Sequence, residues 1–146
     1  MAADGPDIGP DVTLNDPAWI HPSAHIYGNV VLEKGCSIWI NVAIRCESGQ
    51  TIIGEKTNVQ DFVMIHGAGE KPSVIGKNCS ITHHVTLHGC SVGDNSLIGI
   101  GATIMDRCVI GENSIVAGGS FLKEDTIVRP NSIVMEIGRA SCRERV

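Results

Sequence analysis

The chain has 146 residues and a net charge of −5 at pH 7, with a sequence pI of about 5.6. This length suits one domain with a hydrophobic core and is too short to argue for two. The acidic balance offers no basic stripe of the kind that nucleic-acid binding requires, and no apolar run approaches the ~18 residues that span a bilayer. We therefore expect no nucleic-acid partner and no membrane partner.

The first 15 residues are acidic and rich in glycine and proline. They lack the charged n-region and the apolar h-region of a secretory signal. We treat residues 1–15 as an N-terminal extension that precedes one domain over residues 16–135, and we expect a cytoplasmic protein.

From residue 16 onwards, an aliphatic residue recurs every six positions, with small changes of spacing where one series joins the next. These 19 anchors are Ile20, Ile26, Leu32, Ile38, Ile44, Ile53, Val59, Ile65, Ile75, Ile81, Leu87, Val92, Ile98, Ile104, Ile110, Val116, Leu122, Val128 and Val134. The residue two positions before each anchor is small or β-branched. Since residues two apart on a strand point to the same face, both positions are expected to face inwards.

A six-residue period fits neither an amphipathic helix nor a stack of hairpins. It predicts a triangular coil of three short strands, one hexapeptide on each side. The 19 anchors then predict about six coils. The pattern resembles the all-β, single-stranded, left-handed parallel β-helix of hexapeptide repeats, a known exception to the right-handed crossover rule.

Four of the six cysteines, at positions 36, 79, 90 and 108, occupy the small inward position of the repeat. None of the six forms a CxxC pair. We therefore interpret these four as small buried apolar side chains rather than as metal ligands or disulfide partners.

Counting anchors also predicts which side chains lie above one another, because residues three anchors apart lie on adjacent coils, roughly 4.8 Å apart. Arg45, His66 and His88 each follow an anchor and belong to one such column. Two imidazoles on adjacent coils can reach one ion at Zn–N distances of ~2.0–2.1 Å. The column therefore predicts a metal site at His66 and His88.

His83 lies on the neighbouring side of the coil and is expected above Asp61. About 16 Å of extended chain separates it from His88, so one chain does not easily bring all three histidines to one ion. If three β-helices pack around a threefold axis, His83 of one subunit can face His66 and His88 of the next, giving three sites in a homotrimer. Three histidines with an open fourth position form a catalytic type of zinc site. The other histidines, expected to be solvated surface side chains, are His21, His25 and His84.

The chain resembles the γ-class carbonic anhydrase family over about residues 19–135, in the segments IRCE at 44–47, TNVQDFVMIH at 57–66, ITH at 81–83 and LHGC at 87–90. The resemblance implies that His66, His83 and His88 bind Zn²⁺, or Fe²⁺ or Co²⁺, at the interfaces of a homotrimer. It also implies an enzyme, a carbonate dehydratase that interconverts carbon dioxide and bicarbonate.

The same resemblance implies roles for five further residues. Arg45, Glu47 and Asp61 correspond to the family's arginine and acidic pair at the interface, and Gln60 matches the glutamine that orients the attacking hydroxide. The family's usual Arg-Gly-Asp carboxylate is one methylene longer here, at Glu47. The acidic loop that carries the family's proton shuttle is short, and Glu70 is its one candidate.

The C-terminal segment departs from the repeat. Residues 136–146 (EIGRASCRERV) resemble a translated sequencing adapter, and we treat them as a non-native tail. The C-terminal helix that usually closes the family's prism is not visible in the sequence, so we expect it to be missing.

Two other functions fit the same scaffold. The first is an acyl-CoA-dependent acyltransferase, in which one histidine at the subunit cleft would act as general base; the triple-histidine arrangement would then have no purpose. The second is a non-catalytic assembly subunit, whose flat prism faces would serve as interaction surfaces.

Overall fold

The computed structural model describes residues 5–135, and every regular element within them is a β-strand. The strands are Asp7–Ile8 (β1), Thr13–Leu14 (β2), Trp19–Ile20 (β3), His25–Leu32 (β4), Ser37–Ile38 (β5), Ala43–Ile53 (β6), Asn58–Val59 (β7), Met64–Gly67 (β8), Ser73–Ile75 (β9), Ser80–Ile81 (β10), Thr86–His88 (β11), Ser91–Val92 (β12), Leu97–Ile98 (β13), Thr103–Ile104 (β14), Val109–Ile110 (β15), Ile115–Val116 (β16), Phe121–Leu122 (β17), Ile127–Val128 (β18) and Ile133–Val134 (β19).

These strands form the three faces of a left-handed parallel β-helix, as the repeat predicts. The first face is the seven-stranded sheet β3-β5-β7-β10-β13-β16-β19. The second face contains β1, β8, β11, β14 and β17, and the third contains β2, β9, β12, β15 and β18. The long strands β4 and β6 run around the corner between the second and third faces, so these two faces belong to one twelve-stranded sheet.

The β-helix has about seven turns, since each turn contributes one strand to the seven-stranded face, rather than the six predicted. The additional turn begins within residues 1–15, which were predicted to be an extension. There, β1 pairs with β4 through Asp7 and His25, and β2 pairs with β4 through Thr13 and Val31. The six-residue period continues backwards from Ile20 into these strands, through a composition rich in glycine and proline that conceals it.

The predicted inward positions form the core. Every anchor except Ile20 is at most 3% exposed, and Ile20 lies near the beginning of the stack, partly buried. The five cysteines at positions 36, 46, 79, 90 and 108 are buried free thiols, which confirms the interpretation of the four in the repeat. Burial raises the pKa of Cys36 to about 11 and that of Cys90 to about 12.

Hydroxyl side chains in the small inward position also form hydrogen bonds, which the preference for small residues alone does not predict. Thr57 Oγ1 donates to the carbonyl of Gly76 at 2.6 Å and accepts the backbone N–H of Cys79 at 3.0 Å. Ser114 Oγ likewise donates to the carbonyl of Arg129 and accepts the N–H of Ser132. A hydroxyl in this position therefore satisfies backbone groups that the turn at the corner leaves unpaired.

Corner residues with positive φ make the turns between faces possible. At one corner, Asn78, Asn95, Asn113 and Asn131 have φ between 53° and 60°. Asparagine tolerates this left-handed conformation better than most residues. Its side chain adds a ladder along the stack, in which the amide of Asn78 donates to Asn95 at 3.3 Å and that of Asn95 to Asn113 at 3.2 Å.

No helix that could cross a membrane occurs within residues 5–135. The predicted non-native tail at 136–146, with Cys142, and the position where a closing C-terminal helix would follow lie outside the described residues.

Candidate metal centre

Arg45, His66 and His88 lie in register on adjacent strands of the second face, which confirms the predicted column. The His66 and His88 ring centroids are 4.8 Å apart, with planes at 71°. His66 Nδ1 lies 3.0 Å from His88 Nε2. Two histidines 22 residues apart in sequence are therefore within hydrogen-bond distance of each other through one ring nitrogen each.

The outward direction of both histidines follows from strand alternation. Each follows a buried anchor, Ile65 or Leu87, and successive side chains on a strand point to opposite faces. A loop at 68–72 separates β8 from β9, yet Ser73 resumes pairing opposite Thr51. Backbone pairing between coils thus preserves the alignment of the two histidines despite the insertion.

Glu47 lies at one end of the histidine pair. Its Oε2 is 2.9 Å from His66 Nε2, and its Oε1 is 3.0 Å from Arg45 Nε. The hydrogen bond from His66, aided by the charge of Arg45, holds the pKa of the Glu47 carboxyl below its ordinary value of 4.5. The structure therefore brings together Arg45 and Glu47, which the family resemblance pairs, and adds a direct contact with His66.

Asp106, which was not predicted from the sequence, lies at the other end. Its Oδ1 is 2.9 Å from His88 Nδ1. Leu87 pairs with Ile104 on the next coil, so the column continues from His88 to Met105, and Asp106 lies one position beyond it, at the corner. The column count gives Met105 above His88, so the one signal for Asp106 in the sequence is a carboxylate at the corner directly after that position.

His83 lies at the opposite edge of the second face, in the corner between β10 and β11. Its Nδ1 is 3.2 Å from Asp61 Oδ2, which confirms the predicted stacking. Gln60 is next to Asp61 and is partly buried, and its backbone N–H donates to the carbonyl of Ile81. The structure thus groups Gln60, Asp61 and His83, and separates them from His66 and His88 by the width of the face.

The other histidines have more contacts than expected for solvated side chains. His84 is exposed, but its ring stacks on Phe62 with centroids 5.0 Å apart and planes 4° apart. His21 forms a hydrogen bond with Ser23, and His25 forms one with Asp7.

Glu70 lies in the loop at 68–72, which forms one wall of a cleft of about 510 Å³. Gly89, Asp106 and Arg107 line the same cleft. Glu70 therefore lies on the side of the molecule where Asp106 contacts His88, although it belongs to a different coil.

The histidine pair fits part of a zinc site. Tetrahedral coordination with Zn–N bonds of ~2.0–2.1 Å places two nitrogen ligands about 3.3 Å apart. The separation of 3.0 Å between His66 Nδ1 and His88 Nε2 is close to that distance. Within residues 5–135 of one chain, no group of three His, Cys, Asp or Glu side chains is arranged to hold a metal ion. A third protein ligand is therefore not supplied by the described part of the same chain and could be supplied by another chain.

Comparison with known proteins shows the family to which the chain belongs. Residues 89–124 match the family model described as bacterial transferase hexapeptide (six repeats). The crystal structure of a hexapeptide transferase family protein from Anaplasma phagocytophilum is 31% identical, with a TM-score of 0.77 over 97% of this chain and 80% of that one. This chain belongs to the hexapeptide transferase family.

Curated relatives connect this family member to two groups. Gamma carbonic anhydrase 1, mitochondrial, of Arabidopsis thaliana is 36% identical over 99 residues, which cover 64% of this chain and 36% of that protein. Carnitine operon protein CaiE of Escherichia coli O157:H7 is 40% identical over 93 residues, covering 64% and 47%. The relationship to γ-carbonic anhydrases is thus confirmed, and the matched part spans less than half the length of either relative.

A transferase is also among the similar solved structures. A Bacillus cereus protein classed as an acetyltransferase is 28% identical, with a TM-score of 0.80 over 96% of this chain and 78% of that one. The same β-helix therefore occurs in relatives with different assigned chemistry, and the side chains of the site must distinguish between them.

Proposed function

We propose that this hexapeptide-family member hydrates carbon dioxide reversibly to bicarbonate, using a metal bound between the subunits of a homotrimer. The observation that supports this most directly is the pair of imidazole nitrogens on His66 and His88, 3.0 Å apart on adjacent coils. A single general base would need one histidine, whereas two converging nitrogens suit a shared cation.

The third ligand in this proposal is His83 of a neighbouring subunit. His83 and the His66–His88 pair lie at opposite edges of the second face. In a cyclic trimer, one edge of each subunit meets the other edge of the next, and closure produces three equivalent interfaces. Each interface would then contain a three-histidine site with one open position.

Zn²⁺, or Fe²⁺ or Co²⁺, bound there would lower the pKa of a coordinated water to about 7 and so supply a nucleophile at neutral pH. The amide of Gln60, beside Asp61 and His83, would orient the nucleophile and the carbon dioxide by hydrogen bonding. Glu70, in the loop beside the cleft, would accept the released proton and pass it to solvent. Arg45 and Glu47 would brace the interface through their ion pair.

The test is metal analysis of the purified protein together with a CO₂ hydration assay after loading with zinc or, anaerobically, with iron. We expect about one metal ion per chain in a trimer and hydration that a chelator abolishes. A metal-loaded trimer without hydration would favour the non-catalytic assembly subunit. A chain that forms no trimer and binds no metal would contradict the proposal.

A second candidate function, acyl transfer from an acyl-CoA, is supported by the similarity to the hexapeptide transferase and acetyltransferase structures. Incubation with acetyl-CoA and a panel of amine and hydroxyl acceptors, with thiol release as the readout, distinguishes it from hydration. Metal-independent release of coenzyme A that requires an acceptor would favour this second function.

A further inference from the structure

We infer that Asp106 is a positioning residue that directs one nitrogen of His88 towards the metal; this inference rests on the proposed metal site. A carboxylate accepts hydrogen bonds and donates none. Since Asp106 Oδ1 lies 2.9 Å from His88 Nδ1, the proton of a neutral His88 is held on Nδ1. The lone pair is then on Nε2, the nitrogen that lies 3.0 Å from His66.

The other histidine has the complementary arrangement. Glu47 Oε2 accepts from His66 Nε2 at 2.9 Å, which leaves the lone pair on Nδ1. The chain Glu47–His66–His88–Asp106 therefore has a carboxylate at each end and two lone pairs facing each other in the middle. Two facing lone pairs repel each other unless a cation lies between or beside them, either a proton shared by the two nitrogens or a metal ion. The two carboxylates thus favour a cation at the point where the imidazoles converge.

The backbone beside His88 is shaped to admit the Asp106 carboxylate. Gly89 has a φ of +56°, and a Cβ at this position would lie 2.4 Å from Asp106 Oδ1. Any side chain there would displace the carboxylate from His88. The absence of a side chain at Gly89 therefore leaves room for the contact between His88 and Asp106.

A second Asp–His pair in the molecule shows what the repeat alone produces. His25 Nδ1 lies 3.1 Å from Asp7 Oδ2, and these two residues pair in register on adjacent coils, whereas Asp106 lies one position beyond the register of His88. The side chains of His25 and Asp7 are 59% and 52% exposed, against 31% and 27% for His88 and Asp106. An Asp–His contact across coils thus also occurs away from the histidine column, while the more buried contact at His88 also has a second imidazole at the other ring nitrogen.

The experiment compares the full chain with its Asp106→Asn, Asp106→Ala and Asp7→Asn variants. Zn²⁺ affinity is measured by competition with a chromophoric chelator, and the Co²⁺-loaded proteins are compared by visible absorption. We expect Asp106→Ala to bind Zn²⁺ roughly 10- to 100-fold more weakly, as is typical when a carboxylate that orients a metal-bound histidine is removed. Asp106→Asn should lose less, because its amide oxygen can still accept from Nδ1, and the Co²⁺ spectrum should change in both.

The control variant Asp7→Asn should bind Zn²⁺ with unchanged affinity, since it removes a carboxylate from the matched pair away from the site. Circular dichroism and the melting temperature of the metal-free variants establish that each is folded; if Asp106→Ala is not, the isosteric Asp106→Asn decides. Wild-type affinity in a folded Asp106 variant would overturn the inference and leave the proposed function standing. A wild-type chain that binds neither Zn²⁺ nor Co²⁺ would overturn the proposed function, and the inference with it.

Discussion

Thr51 and Thr57 occupy equivalent small positions of the repeat and are both completely buried, yet their hydroxyls differ in hydrogen bonding. Thr57 Oγ1 bonds to Gly76 and Cys79. Thr51 Oγ1 has no hydrogen-bond partner among the described residues. Replacing either threonine by the isosteric valine should therefore have opposite effects on stability.

For Thr57→Val we expect the free energy of unfolding to fall by roughly 1–3 kcal/mol, because the backbone groups of Gly76 and Cys79 lose their partner. For Thr51→Val we expect it to rise by about 1 kcal/mol, because an unpaired buried hydroxyl is replaced by a methyl group. Urea denaturation of the metal-free protein measures both. A change of the same sign in the two variants would contradict the assignment of these hydroxyls.

The proposed metal site between subunits predicts a particular behaviour of mixed trimers. His83→Ala and His88→Ala should each lose the metal when produced alone. In trimers assembled at random from equal amounts of the two, about one quarter of the interfaces should combine the intact His83 of one variant with the intact His66–His88 pair of the other. Metal analysis of the co-expressed, purified trimers measures this fraction. Complete absence of metal from such trimers would indicate a site contained within one subunit.

The acid sensitivity of the fold should depend on Asp125. Arg107 holds this carboxylate through two hydrogen bonds, of 2.7 Å from Nε and 2.9 Å from Nη2, and thereby lowers its pKa below the ordinary value of 3.8. Because the folded pKa is the lower one, the unfolded chain takes up the proton first as pH falls. The ion pair therefore contributes fully to the free energy of unfolding above the unfolded pKa of 3.8. This contribution is lost as pH falls through the lower pKa of the folded protein.

We therefore expect the stability of the wild type to fall more steeply below pH 3.8 than that of Asp125→Asn, as measured by urea denaturation at a series of pH values. The effect should be small, because both side chains are exposed, and it should shrink in 0.5 M salt because ions screen surface charges. Parallel pH profiles for the two proteins at low salt would show that the ion pair does not contribute.

The buried thiols should be chemically inert in the folded protein. Only the thiolate reacts, and burial raises the pKa of Cys36 to about 11 and that of Cys90 to about 12. In a Cys142→Ser background, we expect negligible reaction with Ellman's reagent at pH 8 and release of five equivalents on denaturation, from the five described cysteines. Rapid labelling of the native protein would show that the coils open locally.

Much of the fold could be predicted because the hexapeptide repeat is a one-dimensional signal. The spacing of the anchors determines which side chains face inwards and which coil lies above which, so the column of Arg45, His66 and His88 and the stacking of His83 on Asp61 followed from counting. The first coil was missed because Ile8 and Leu14 lie in a segment whose glycine and proline content suggested an extension.

The polar contacts were less predictable, since they depend on rotamers and not on register. Counting places Met105 one coil above His88 and Asp106 at the corner beyond it, and it does not show that the absence of a side chain at Gly89 lets the Asp106 carboxylate reach Nδ1. Nor does it show that Glu47 contacts both Arg45 and His66. The convergence of His83 with the other two histidines depends on a second subunit, and it stays a prediction.

The loop at 68–72 enters and leaves the stack without altering the pairing on either side of it, since Arg45 pairs with His66 before it and Thr51 with Ser73 after it. The length of this loop and the register of the strands beside it can therefore vary independently. A longer or more acidic segment could replace this loop and change access to the cleft without changing the spacing between His66 and His88. A single residue inserted within β11, before His88, would instead shift the strand by one position and turn His88 towards the core. Evolution and design thus have much freedom in the loop and very little in the strands beside it.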